Sequence, residues 1–401
     1  MRRQLLETEV VFGLKLLCNC SIIFILQFLS EGKIILSVSG EMPMETKKIF
    51  IGSAKPGMKL AADVYDSDSR LIVPKDTVID ESVINRFKLY SIFSLIIYLE
   101  EEKQELKPEE EVGYFESIKQ KKDFAHFEEK FSESVDDLKT NLNDIVKKNT
   151  PISPEKMLKG VAAVIASNKT GHNMFDMLNC MRGYDDLTYV HSMNVALICN
   201  VMAGWLGKSQ EETDIITMAG LLHDIGKLKM PVNIIAKPGK LTDEEYEIIK
   251  SHPTLGHDIL LESNVDERIK NAAWMHHERY DGGGYPNGLV GEQIDDIARI
   301  VAIADVYDAM TANRVYRNGL CPFKVIAHFE RDMSIYDPRY ILLFLEKTAE
   351  TYVSNKVLLS NGKEGKIIMI NKMSLSQPVV MVGDKIYDLA KQKDITIEQL
   401  L

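Results

Sequence analysis

Two adjacent histidines head the run His276-His277-Glu278-Arg279-Tyr280-Asp281-Gly282-Gly283-Gly284-Tyr285-Pro286. Upstream, His223 and Asp224 lie inside the apolar helical run from Ala219 to Lys227. An unpaired imidazole is costly to bury, and three consecutive glycines forfeit side-chain packing. A divalent metal is the partner that satisfies both a buried histidine and a buried aspartate. The candidate ligands are His191, His223, Asp224, His252, His276, His277 and Asp305, which take five of the nine histidines in the chain. No cysteine stands among them. An imidazole and carboxylate field suits Fe, Mn, Zn or Ni rather than an iron–sulfur cluster or a thiolate zinc site. So many donors exceed the needs of one tetrahedral ion and suit two ions, with Asp224 as the natural bridge. Sites with two ions about 3.5–4 Å apart are typical of phosphoester hydrolysis.

From about Gly171 to Tyr352 the chain resembles the HD-GYP family, bacterial phosphodiesterases that hydrolyse cyclic di-GMP. The matching pieces are Tyr189-Val190-His191-Ser192-Met193-Asn194-Val195, Leu222-His223-Asp224-Ile225-Gly226-Lys227, Ser251-His252-Pro253, the block from His276 to Pro286, and Ile303 to Thr311 around Asp305. A lone His-Asp pair says little. His-His-Glu followed at this spacing by Gly-Tyr-Pro, with the other ligands in order, is specific.

The resemblance implies that His191, His223, Asp224 and Asp305 hold one ion, and that Asp224, His252, His276 and His277 hold the other. Fe and Mn are the metals expected. It implies catalysis by His223, Asp224 and Lys227, with cyclic di-GMP opened to linear pGpG and, after a second round, GMP. Lys227, Gly284, Tyr285, Pro286, Arg314 and Arg317 fall on positions that hold the substrate, and the Gly-Tyr-Pro block also supports contacts with signalling partners in the family. A homodimer is a further expectation. Glu278 and Asp281 read as groups that orient histidines, and Asp308 as a helix salt bridge or a contact behind the ligands rather than a ligand. Some members hold a third ion through a Glu four residues before the first histidine. Leu187 stands there in this chain, so two ions are expected. Two other readings are a receptor that binds without turnover and a phosphodiesterase for another cyclic dinucleotide, such as 3′,3′-cyclic GMP-AMP.

The net charge of −11 argues against broad binding to a nucleic acid polymer, so an anionic dinucleotide needs a local basic patch. The five cysteines are scattered without framework spacing, which fits a reduced, cytoplasmic compartment. Val10 to Phe28 is nearly all apolar, after a basic Met1-Arg2-Arg3. It is close to the roughly 20 residues that a membrane span needs. Residues 1–43 admit three readings: leader translated from an over-extended gene start, a membrane anchor through residues 10–28, or a plain extension. The first is favoured because Met44-Glu45-Thr46-Lys47-Lys48 looks like an ordinary start, and Ser39-Gly40-Glu41 can be encoded with a GGNGA purine run.

The elements that must position the ligands follow from pattern. Residues 44–99 read as a small α+β domain, with Val64-Tyr65, Leu71-Ile72-Val73 and Ile96 to Leu99 as strands and Asp80 capping a helix to about Tyr90. Residues 100–150 read as a charged linker and one or two helices, whose apolar stripe from Phe115 to Ile145 serves a dimer, a docking partner or plain packing. Residues 151–354 read as an all-helical HD-type bundle, the catalytic domain. Residues 355–401 read as a β appendage with a short helical or irregular end. The fold class expected is mainly α.

Overall fold

The computed structural model describes residues 25–28, 34–37, 46–51, 54–66, 70–90, 92, 94–98, 114–168, 174–181, 188–235, 237, 239–312 and 319–401. Strand β1 (Ile25–Phe28) pairs antiparallel with β2 (Ile34–Ser37). The last residues of the run from Val10 to Phe28 are therefore extended and paired; residues 10–24 of that run lie outside the described residues. Among the described residues no helix is long and apolar enough to cross a membrane.

The N-terminal unit consists of β3 (Thr46–Phe50), the hairpin β4 (Val64–Tyr65) and β5 (Leu71–Val73), helix α1 (Glu81–Leu89) and β6 (Ser94–Tyr98). The carboxylate of Asp80 accepts the Val83 amide at 2.8 Å, which satisfies a donor that helix geometry leaves without a partner. Strand β3 runs antiparallel to β6 from Thr46↔Tyr98 to Phe50↔Ser94. The sequence reading missed β3, because exposed Lys47 and Lys48 break its apolar pattern. This unit has its own core, centred on Leu60, Ile79, Phe87 and Leu95.

Helix α2 (Tyr114–Lys119) leads into α3 (Lys122–Lys148), which packs along α4 (Pro154–Ser167). The stripe Phe124, Phe127, Phe131, Val135, Leu138 and Leu142 is buried in the core of the helical body, so it serves packing within the chain. Asp136 on the same helix takes Lys48 Nζ at 2.9 Å and Ser94 Oγ at 3.3 Å, tying the N-terminal unit to α3.

The bundle continues as α5 (Met174–Cys180), α6 (Tyr189–Trp205), α7 (Gln210–Leu222), a 3₁₀ turn (Ile225–Lys229), α8 (Val232–Ile235), α9 (Asp243–Ile249), α10 (His252–Leu261), α11 (Glu267–Met275), α12 (Asp296–Thr311), α13 (Pro322–Arg331) and α14 (Pro338–Thr351). Helices α6 and α12 are apolar nearly all round, and a helix of that kind belongs in a core. Val195, Leu197 and Ile198 on one and Ile300, Ile303 and Ala304 on the other are all buried. Capping boxes at Ser209 and Thr242 set where α7 and α9 begin. One boundary differs from expectation. Helix α7 stops at Leu222, so His223 and Asp224 sit at its C-terminal end and not inside it.

The C-terminal strands β7 (Lys356–Leu359), β8 (Glu364–Met369), β9 (Val379–Val382), β10 (Lys385–Asp388) and β11 (Ile397–Leu400) form an antiparallel sheet in the order β10-β9-β8-β7-β11. The expected helical or irregular end is instead strand β11, paired with β7 and anchored by buried Ile397 and Leu400. With Val357, Leu359, Ile367 and Val380, these residues join the core of the helical body. The molecule is mainly α, with a small α+β unit at one end of the chain and a sheet at the other.

Candidate metal centre

Every candidate ligand stands at a helix end or on a central helix. His191 is on α6 and Asp305 on α12; His223 and Asp224 follow α7; His252 opens α10; His276 and His277 follow α11. The structure brings all seven sequence-predicted ligands together. Asp224 is the hub. Its Oδ1 lies 3.3 Å from His252 Nε2 and 3.7 Å from His276 Nε2, and its Oδ2 lies 3.4 Å from His223 Nε2 and 3.6 Å from His191 Nε2. His191 Nε2 is also 3.0 Å from Asp305 Oδ1, and His277 Nδ1 is 3.9 Å from Asp305 Oδ2. Three ligand trios, His252/His276/His277, His191/His223/Asp305 and His223/Asp224/His276, each place their donor atoms within 4.8 Å of one another.

The backbone dictates which ring nitrogens face inward. His223 Nδ1 donates to Gly220 O at 2.8 Å, His252 Nδ1 to Ile249 O at 2.7 Å, and His276 Nδ1 to Ala272 O and Ala273 O, both at 3.1 Å. A carbonyl only accepts, so each Nδ1 carries hydrogen, and a neutral ring then has its lone pair on Nε2. The Nε2 atoms of His252 and His276 are 3.2 Å apart. Two lone pairs at that distance repel unless a cation lies between them. His223 Nε2 and Asp224 Oδ1 are buried without a hydrogen-bond partner, a further sign that this donor set fits metal ions.

Charge in the cluster follows the same logic. Burial, reinforced by neighbouring imidazoles, holds His276 down at about 4 and His277 well below the usual histidine value, so both are neutral donors. Burial opposes ionisation of Asp224, but His223 and Lys227 outweigh it and hold the carboxyl well below its usual range. Asp305 is held down likewise, by His191 above all, against the cost of burial. His191 is the exception. Burial disfavours its charge, yet Asp305 and Asp308 raise it to about 10. At pH 8 the metal-free ring therefore holds a proton on Nε2 that a cation must displace. Calorimetric metal titration at pH 8, in two buffers of different ionisation enthalpy, is expected to show release of at least about one proton, that of His191, in addition to any lost by metal-bound water. No release at all would contradict ligation by His191.

Behind the ligands, Asp308 Oδ2 lies 2.7 Å from His191 Nδ1, and Asp308 Oδ1 accepts Asn194 Nδ2 at 3.0 Å. Sequence reasoning left Asp308 between an ion pair and a contact behind the ligands; the geometry makes it the group that orients His191. It passed over Asn194, whose signal was its place one helical turn after His191. Partners of this kind are typically worth about 10–100-fold in metal affinity. Asp308→Asn is expected to weaken metal binding by about that factor, read by competition with a fluorescent chelator, while the helical circular dichroism stays.

Two expectations change. Glu278 does not orient a histidine: its carboxylate accepts the Asn287 amide at 2.7 Å and the Leu289 amide at 3.0 Å, which shapes the following loop. Asp281 pairs instead with Arg279 at 2.7 Å. Gly284 is required because a Cβ there would stand 2.3 Å from Arg279 N and 2.5 Å from Glu278 Cα. The close approach at this glycine is to the chain's own backbone. Tyr285 N donates to His277 O at 3.1 Å, and the Tyr285–Pro286 peptide is cis.

His223, Asp224, His252 and His276 have at most 1% of their side chains exposed, against 23% for His277 and 22% for Lys227. The centre therefore opens on the side of His277 and Lys227. Lys227 Nζ is 2.5 Å from Asp224 Oδ2, and the Tyr285 ring is 4.8 Å from the His277 ring. Arg314, Arg317, Leu187 and His172 lie outside the described residues. His257 stacks on Trp274 at 4.8 Å and His328 pairs with Asp332 at 2.8 Å, both away from the centre.

A helical bundle holding a His/Asp cluster of this kind defines a class, and the comparison agrees: residues 176–339 match the family model described as HD domain. This part of the chain is thus similar to HD domains and to proteins named as cyclic di-GMP phosphodiesterases. It is 37% identical over 199 residues to a cyclic di-GMP phosphodiesterase of Pseudomonas aeruginosa, covering 49% of this chain and 48% of that protein. It is 41% identical over 157 residues to the cyclic di-GMP phosphodiesterase response regulator RpfG of Xanthomonas campestris, covering 38% and 41%. It is 40% identical over 147 residues to 3′3′-cGAMP-specific phosphodiesterase 2 of Vibrio cholerae, covering 36% and 28%. The matched segment is less than half the length of each of these relatives.

Proposed function

We propose that the chain is a metal-dependent phosphodiesterase that hydrolyses cyclic di-GMP, adding water across one phosphodiester to give linear pGpG, and GMP after a second round. The observation that carries this reading is the pair of Nε2 atoms of His252 and His276, 3.2 Å apart with both Nδ1 atoms committed to backbone carbonyls. Two divalent ions fit the donors. His191, His223, Asp224 and Asp305 would hold one, and Asp224, His252, His276 and His277 the other. Fe and Mn match the imidazole and carboxylate field. The ions, when bound, supply Lewis acidity toward the phosphoryl oxygens and lower the pKa of water toward about 7.

The protein's own groups prepare that chemistry. Backbone carbonyls fix three imidazoles by their Nδ1 hydrogens, and Asp308 fixes His191. Lys227 holds a cation at Asp224 on the open side, where a phosphodiester oxygen would replace the carboxylate as its partner. Gly284, Tyr285 and Pro286 wall the opening, and Arg314 and Arg317 are proposed as further phosphate contacts. A relative specific for 3′3′-cGAMP makes that dinucleotide the second substrate to test.

The test is hydrolysis by protein purified without oxygen and supplied with Mn or Fe(II), the products resolved by chromatography. Linear product from wild type and none from the His223→Ala/Asp224→Ala variant is expected. Tight binding of cyclic di-GMP without turnover, in protein shown to contain metal, would replace the enzyme by a receptor.

A further inference from the structure

The opening of the metal centre carries an aromatic and cationic group that the metal chemistry does not use. Lys250 closes α9 immediately before Ser251 and His252. Its Nζ stands 5.6 Å from the centroid of the Tyr285 ring and 5.7 Å from that of Tyr246. Tyr285 in turn lies 4.8 Å from the His277 ring, on the exposed side of the ligands. An aromatic and cationic path thus runs outward from His277 through Tyr285 and Lys250 to Tyr246. Tyr246 is 49% exposed, a large aromatic left in water beside the site. The other partner of Lys250 is Glu247 at 2.8 Å, whose side chain is 67% exposed. A surface pair of that kind is worth little, so the ammonium is free to exchange partners.

Resting on the phosphodiesterase reading above, we propose that Tyr246 and Lys250 form the base subsite: a purine stacks on Tyr246 while Lys250 donates to the O6/N7 edge of guanine. A cyclic dinucleotide with one phosphodiester at the metal ligands must extend its bases outward, and among the described residues the ligands are most exposed at His277, which the Tyr285 ring borders. Every purine has a π-face, so stacking secures binding without choosing the base. The choice comes from Lys250. Guanine offers two acceptors, O6 and N7, on the edge that a lysine reads, whereas adenine offers an N6 donor beside N7 and meets an ammonium badly.

Steady-state kinetics of the full chain test this, with cyclic di-GMP, 3′3′-cyclic GMP-AMP and bis(p-nitrophenyl) phosphate, a diester without a purine. For Tyr246→Ala, kcat/KM on cyclic di-GMP relative to that on bis(p-nitrophenyl) phosphate is expected to fall about tenfold, mostly through KM, with Tyr246→Phe restoring it to within about twofold. Lys250→Gln exchanges an acceptor reader for one that suits adenine, and is expected to move the preference toward 3′3′-cyclic GMP-AMP about tenfold. Equal losses on the purine and purine-free substrates, or none on either, overturn the subsite alone. Wild type that cleaves bis(p-nitrophenyl) phosphate but no cyclic dinucleotide overturns the substrate reading and the subsite together.

Discussion

On the proposed phosphodiesterase reading, Asp224→Asn is expected to lower hydrolysis of cyclic di-GMP by a factor of at least about 10³ and to empty the centre of metal. The substitution keeps the shape of the side chain and removes its charge. That charge is shared: four imidazole Nε2 atoms lie between 3.3 and 3.7 Å from its two oxygens, and Lys227 lies 2.5 Å away. An amide offers one neutral acceptor in place of two anionic ones, so it bridges two cations poorly. Its NH₂ group would also point at a histidine lone pair. Burial magnifies the loss, because 1% of the Asp224 side chain is exposed and no water replaces the missing charge. Metal content by plasma mass spectrometry and turnover, measured on one preparation, check the result. An Asn variant that retains two metals per chain and a tenth of the activity would show that Asp224 is not the shared ligand.

That the seven candidate ligands belong together was legible in the sequence, because they are residue types that packing does not explain. His223-Asp224 in an apolar run and His276-His277 before a glycine run are costly unless something pairs with them. What supports the ligands was harder to read. The groups that fix three of the imidazoles are carbonyls of Gly220, Ile249, Ala272 and Ala273, and a carbonyl has no residue type. Glu278 looked like a histidine partner because it follows His277. It turned to the Asn287 and Leu289 amides because the loop brings unpaired donors back to it. Strand β11 escaped for another reason. Ile397 and Leu400 alone point inward, too sparse a pattern to stand out beside the polar residues around them, and only pairing with β7 makes the segment a strand. The bundle itself was plain, since apolar spacing over long segments is the strongest pattern a sequence carries.

Gly226→Ala is expected to cost more than any other single methyl group near the site. A Cβ at Gly226 would stand 2.0 Å from His252 O and 2.5 Å from Gly256 N. Both atoms belong to the backbone at the start of α10, so no rotamer change relieves the clash, and the helix must move. His252 is the first residue of that helix, and its Nε2 lies 3.3 Å from Asp224 Oδ1. A shift of an ångström would break the meeting of His252 with Asp224 and His276. Overpacking of a well-packed interior typically costs about 1–3 kcal/mol, and contact against rigid backbone belongs at or above the top of that range. Loss of metal at the His252 ligands is expected to follow, with turnover falling on the order of 100-fold, as when a misplacement of about an ångström disturbs a reacting geometry. Gly256→Ala is the control from the other side of the same contact. Its Cβ would meet Gly226 N at 3.3 Å, a tight contact that a shift of a few tenths of an ångström relieves, and Ile225 Cγ2 at 3.5 Å, and it lies within α10, where alanine is favoured over glycine by about 1 kcal/mol. Thermal denaturation and metal analysis of the two variants separate the causes. If Gly256→Ala is as damaging as Gly226→Ala, the contact is generally intolerant of volume; if Gly226→Ala alone fails, the placement of His252 depends on the missing side chain at Gly226.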